Sequence, residues 1–369
     1  MATRESKFDI LRLLSMYMII CGHLIYHGIR HILTPEIADV GFSDTQTGQV
    51  NFFLCQFLGY VCNVGPNLFI MITGYFLILP RSVRYVFEKG VKLWLTIVLY
   101  SLIIYGVSLL LCRQPFDLQV FIQQITPIYS SNYWFMTMYM GILLLSPFIA
   151  RMAGVLTKKE YQLLLLILLV MNFAQETTGY GSVYSSTLFF FLFIFLIGGY
   201  IRLHRPSSRW LCWAGWFFVL VCLALTLANT VNQILFHSTP FLQIRGLANN
   251  SIPIFTSVCL FQWFSALPVK ESKLGSFAVR VSPYILSVYL IHDNLFVRPV
   301  LWDELVCPTQ FISEWYFIPY VMMVCAVILL LCILIDMWRK YLTGYLYFFN
   351  PSSLTKRFFS DCQMKRKLP

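Results

Sequence analysis

The segment Phe8–Gly28, FDILRLLSMYMIICGHLIYHG, constrains this chain more than any other. It is long and apolar enough to cross a membrane, yet it carries Asp9, Arg12, His23 and His27. A run of ~20 apolar residues spans a bilayer as a helix, and ionisable groups within such a run are costly enough to be functional suspects by default. Arg12 and His23 stand 11 residues apart. On a helix that spacing is three turns plus ~20°, with a rise of ~16 Å, so the two side chains share one stripe. A cation near one membrane face lies below an imidazole near the middle.

Similar apolar runs recur to the end of the chain, which is 58% hydrophobic and only 12% charged. That pattern predicts an all-α, polytopic membrane protein. The runs are continuous rather than alternating, which argues against a β-barrel. The first run is not expected to be a cleaved signal peptide, because its core is charged, no small-residue cleavage site follows and further spans succeed it. Ten spans are expected, at 8–29, 51–79, 91–112, 132–150, 160–175, 186–202, 209–229, 249–267, 281–300 and 316–337, with both termini cytoplasmic. Of the 27 Lys and Arg side chains, 23 then fall on the cytoplasmic side, and only Arg30, Arg113, Arg245 and Arg298 on the other. That asymmetry sets the orientation and explains the net charge of +11 without nucleic acid. Residues 1–345 read as one membrane domain. Residues 346–369 read as a basic cytoplasmic tail, expected to lie on anionic lipid. Within the outer loop 113–131, FDLQVFIQQI suggests a short surface helix.

The 11 cysteines lie mostly within spans and form no C-x-x-C pair, so they read as small buried hydrophobes rather than metal ligands. No metal is expected. There is no P-loop, GxGxxG, GxSxG or HExxH.

The candidate chemistry gathers on few residues. A neutral imidazole at His23 can take a proton from an alcohol or carry an acyl group, or it can serve as an interhelical hydrogen-bond clasp. His27 and His31 follow at four-residue steps, towards the outer surface. Arg12 either faces the protein interior beside His23 or snorkels to lipid phosphate. Arg81 and Arg84 form R-x-x-R, which on one helical face suits phosphate groups and also fits ordinary positive-inside charge. In the ninth span, His292, Asp293 and Asn294 are three consecutive polar groups that need partners. Adjacent helical residues diverge, so Asp293 is not expected to orient His292. One of the two is expected to reach His23, where a carboxylate would hold the ring's tautomer and stabilise its cation.

At these residues the chain resembles the acyltransferase-3 family of integral membrane O-acyltransferases, bacterial proteins that modify envelope sugars. Arg12 through His23 matches the family's R-x10-H opening. Met71–Leu77, MITGYFL, is similar to its Ser-Gly-Phe-Leu turn, with Thr73 in place of the serine and Tyr75 in place of the phenylalanine. Arg81-x-x-Arg84 resembles its R-x-x-R. Trp134, Phe135, Tyr139 and Pro147 resemble its Trp-Phe…Tyr…Pro segment, and Ser287–His292, SVYLIH, another recurring stretch. The resemblance covers almost the whole chain, and the extra soluble domain that some relatives carry is not expected here.

It implies a cytoplasmic acyl-CoA donor, acetyl-CoA above all, with its phosphates held by Arg81 and Arg84 and its inner end steadied by Arg12. His23 would act as base or transient acyl carrier; read from the residues alone, His292 and Asp293 are the candidates to support it. The acceptor would be a saccharide or lipid-linked saccharide hydroxyl, reached from the outer side of a bacterial inner membrane among its lipids. A transporter or flippase for a lipid-linked saccharide also fits buried Arg, His and Asp, although no repeated halves are seen. A non-catalytic scaffold would leave His23 and Arg12 dispensable.

Overall fold

The computed structural model describes residues 5–29, 45–111, 113–130, 132–177, 188–204, 209–236, 251–267 and 272–345. The tail 346–369, His31 and most of the loop 30–50 lie outside the described residues, as do Arg30, Cys112 and Arg245. Among the described residues every regular element is helical.

Several helices begin where a polar residue interrupts the apolar pattern and its side chain accepts a backbone N–H. Helices α1 (Ser6–His23), α2 (Gln46–Cys62) and α3 (Val64–Leu77) come first. Thr45 caps α2 through Gly48 N at 3.0 Å. Ser82 caps α4 (Val83–Leu110) through Tyr85 N at 3.2 Å. Asp117 caps α5 (Leu118–Ile125), the short outer helix expected from FDLQVFIQQI, through Val120 N at 3.0 Å. Each such cap satisfies a donor that the first turn leaves open. There follow α6 (Trp134–Val155), α7 (Lys158–Thr177), α8 (Leu188–His204), α9 (Arg209–Phe236) and α10 (Ser251–Ala266). Helix α11 (Lys273–Val281) is capped by Ser272 and runs through a 3₁₀ turn, Ser282–Tyr284, into α12 (Ile285–His292); α13 (Phe317–Tyr345) is last.

Among the described residues six helical segments are long and apolar enough to cross a membrane: Ser6–Gly28, Gln46–Leu77, Val83–Leu110, Trp134–Val155, Lys273–His292 and Phe317–Leu342. Three shorter apolar helices, Leu188–His204, Trp213–Ala228 and Pro253–Ala266, coincide with further expected spans. Two expected spans are reshaped. The run 51–79 is not one helix but α2 and α3, meeting at Asn63. The run 281–300 is displaced: its helix starts at Lys273, and its regular part stops at His292, where Asp293–Phe296 turn out of it. Hydropathy averaged over a span does not register either break, because the polar residues there, Asn63 and Asn67 in one run and His292–Asn294 in the other, are few among apolar neighbours.

At the centre, α3 and α8 press backbone to backbone. A Cβ on Gly74 would collide with the carbonyl of Phe195, and one on Gly198 with the carbonyl of Met71. Small residues permit this approach between apolar helices. Helix α1 lies in the interior, with Phe8, Leu11, Met16, Ile20 and Leu24 all buried. The outer faces of α7, α9 and α13 expose Leu166, Val170, Trp213, Trp216, Leu220, Leu331 and Leu334. The molecule thus has apolar flanks around an interior holding Asp9, His292, Asp293 and Asp336, the reverse of a water-soluble arrangement.

Candidate active site

Helix α1 ends at His23, and the chain continues as one π-helical turn, Leu24–Gly28. Such wide turns recur at functional sites. Gly28 closes against Pro308 and Trp302, residues of the irregular segment that precedes α13, and a Cβ there would meet Pro308 Cγ at 2.8 Å. The turn therefore seats His23 and His27 against the segment that follows α12.

There the ring of His23 meets His292, a residue 269 positions away: Nδ1 of His23 lies 3.0 Å from Nε2 of His292. The same Nδ1 lies 3.4 Å from Asp293 Oδ1, and Nε2 of His27 lies 3.7 Å from that oxygen. Arg298 Nε donates to Asp293 Oδ1 at 2.8 Å and to Asp293 O at 3.0 Å. The turn itself is held by Asn294, which donates to the Tyr133 hydroxyl and accepts from Phe296 N at 2.9 Å; Tyr133 donates on to Leu290 O at 3.0 Å.

These contacts assign the protons. His292 Nδ1 is 2.6 Å from Val288 O, and a carbonyl only accepts, so His292 carries its hydrogen on Nδ1. Neutral His292 then offers a lone pair at Nε2. His23 must donate to it from Nδ1, which also faces the carboxylate. Neutral His23 is left with a bare Nε2, the form needed to accept a proton. His292 and Asp293 are each 1% exposed, whereas the His23 side chain is 19% exposed. The imidazole that can act is the one that can be reached.

His23, His27 and Asp293 also have donor atoms within 4.8 Å of one another, a grouping able to hold a divalent cation. The guanidinium of Arg298 already sits on the shared oxygen and supplies the countercharge, so the set reads as an acid–base cluster.

The pair on the first helix separates in space. Arg12 does not join the histidines. Its Nη1 donates to Asp9 Oδ1 and Ser282 Oγ, both at 3.2 Å, bridging α1 to the 3₁₀ turn before α12. It faces the protein rather than lipid. Arg81 and Arg84 lie at the Ser6 end and are exposed. Arg81 precedes the Ser82 cap, so the two are not neighbours on one helical face, contrary to the expectation from R-x-x-R; Arg84 Nε pairs with Glu88 Oε1 at 3.0 Å.

Two members of the cluster escaped the sequence reading. His27 was placed at the outer interface, although its four-residue step from His23 put it on nearly the same face. By charge asymmetry alone Arg298 belongs with the outer charges. It lies five residues beyond Asp293, a spacing that faces it back only because the helix breaks between them. The SVYLIH and Trp-Phe…Tyr segments meet around the cluster: Tyr289 packs 6.2 Å from His23 and 5.5 Å from Phe135, and Phe135 stacks on Tyr139 at 6.3 Å.

No curated protein and no solved structure matches the chain. A family model described as an acyltransferase domain matches residues 5–348, nearly the whole length and both halves of the cluster. The chain belongs to the acyltransferase-3 family.

Proposed function

We propose that this membrane acyltransferase moves an acyl group, acetyl in the first instance, from acyl-CoA to a hydroxyl of an envelope or exopolysaccharide sugar. In this reading the chain makes ten crossings of a bacterial inner membrane with both termini in the cytoplasm. The Ser6 end then takes the donor and the His23 end meets the acceptor. The observation that carries the reading is the contact of His23 Nδ1 with His292 Nε2 and Asp293 Oδ1, which leaves Nε2 bare on a side chain that is 19% exposed.

The acceptor O–H gives its proton to His23 Nε2 as its oxygen forms a bond to the thioester carbonyl. The new imidazolium is stabilised by Asp293, which faces its Nδ1–H. Collapse of the tetrahedral species breaks the C–S bond. The leaving thiolate takes the proton from Nε2, giving an ester, a free thiol and neutral His23. Arg12 braces the path between the two ends, and Arg81 and Arg84 are exposed at the end where the donor enters.

Purified protein in vesicles should move radiolabelled acetyl from acetyl-CoA onto envelope glycan. His23→Ala should insert and accumulate normally while transfer falls by about 10²–10⁴-fold, the usual contribution of a general base. Wild-type rates in that variant would sink the assignment of His23. Saccharide flux across the vesicle without acyl transfer would replace the enzyme by a transporter.

A further inference from the structure

Helix α11 is amphipathic. It buries Gly275, Ala278 and Val281, with Gly275 so close to α1 that a Cβ would lie 3.1 Å from Ser6 Oγ. The opposite face presents Lys273, Ser276, Phe277 and Arg280, at the three-, four- and seven-residue steps that align side chains along a helix. With Ser272 these residues line an open depression of about 470 Å³, within the size range of small-molecule sites. Among the described residues Lys273 and Arg280 make no hydrogen bond or ion pair, and the 42%-exposed ring of Phe277 lies between them in sequence.

We infer that this depression binds the phosphate-bearing nucleotide end of the thioester donor. Two cations suit phosphate oxygens, and an exposed aromatic face between them suits a nucleobase. The place fits the task. Arg280 lies two residues before Ser282, the partner of Arg12, and Arg12 is ~16 Å of helical rise below His23. A donor anchored here must reach the imidazole through a long, thin, flexible arm, which is what a pantetheine thioester has. Arg81 and Arg84 are the weaker anchor, since one precedes its helix and the other is engaged by Glu88.

The inference rests on the acyl-CoA reading, so its test measures binding rather than turnover. Full-length protein in phosphatidylcholine nanodiscs is titrated with coenzyme A and, separately, with pantetheine, which lacks the nucleotide and its phosphates. The double variant K273A/R280A should bind coenzyme A about tenfold or more weakly and pantetheine as the wild type does. Phe277→Leu should weaken coenzyme A alone, by less. Unchanged coenzyme A affinity in the double variant overturns the site, as does a wild type that binds no coenzyme A. A second preparation in phosphatidylglycerol separates the other source of phosphate: if the double variant loses co-purifying phosphatidylglycerol while its coenzyme A affinity is intact, the depression holds lipid headgroups and the inference fails. If coenzyme A binds as expected but no acyl transfer is found, the site stands and the proposed reaction falls.

Discussion

Asp293 and Asp336 are the same device in two settings. Each carboxylate is almost wholly buried, at 1% and 0% exposure, and each accepts an arginine Nε on Oδ1, from Arg298 at 2.8 Å and from Arg339 at 2.6 Å. Their remaining partners differ. Asp336 lies inside α13, and its companions are the Tyr100 hydroxyl at 2.6 Å on Oδ1 and Lys340 Nζ at 3.6 Å from Oδ2. Arg339 and Lys340 sit three and four residues on along the same helix, so most of that cluster is local and none of it includes an imidazole. Asp293 lies where a helix has just ended, and its oxygen faces two histidines from α1 and its π-turn. A buried ion pair thus marks no function by itself. What sets the Asp293 cluster apart is a ring with one nitrogen occupied and one bare, on a side chain that is 19% exposed.

The comparison breaks first at Asp336 if it is wrong. Asp336→Ala leaves Arg339 and the Tyr100 hydroxyl without their shared acceptor inside the bundle. Removing one partner of a buried pair costs about 3–5 kcal/mol, so this variant should show the largest loss of thermal stability, while the surviving folded fraction transfers acyl groups at the normal rate per molecule. A folded, stable and inactive variant would put Asp336 on the reaction path.

Asp293→Asn keeps the shape and can still accept from Arg298, but it removes the negative charge that faces the His23 imidazolium. A fall in kcat of about a hundredfold, with donor KM nearly unchanged, is the expected signature of support given only when the proton is on the ring. Equal losses of kcat and of stability would make Asp293 a second structural pair like Asp336, and the distinction would vanish.

Much of this contrast was open to inspection in the sequence, and the part that was not has a physical cause. The all-helical membrane character follows from the length of the apolar runs, and α5 from an Asp followed by a patterned segment. His23, His292 and Asp293 stood out because polar groups in apolar runs are few. The pairing His23–His292 needed the fold, since it joins residues 269 apart. The break after His292 was hidden because Leu295, Phe296 and Val297 remain apolar while the backbone turns. Without the break, Arg298 cannot be brought back onto Asp293, and the cluster loses its clamp. For Arg81 the converse holds: R-x-x-R has helical spacing, but the Ser82 cap starts the helix between its members.

Tyr100→Phe is the mildest way to test the contrast, and it isolates one bond. The substitution deletes a hydroxyl that donates to Asp336 Oδ1 at 2.6 Å and accepts from Arg339 Nε at 3.2 Å, while the ring stays beneath the guanidinium at 5.4 Å from its centroid. Asp336 keeps Arg339 and Lys340, so no charge is left alone in the interior. The loss is that of one hydrogen bond to a charged group, about 1.5–3 kcal/mol, read as a lower melting temperature in detergent. Neither kcat nor donor KM should move, because among the described residues no hydrogen bond or ion pair joins Tyr100 to the imidazoles at the other end of the bundle. Transfer that falls while the melting temperature holds would show that this second carboxylate also communicates with the reaction, and the division between a holding aspartate and an assisting one would have to be given up.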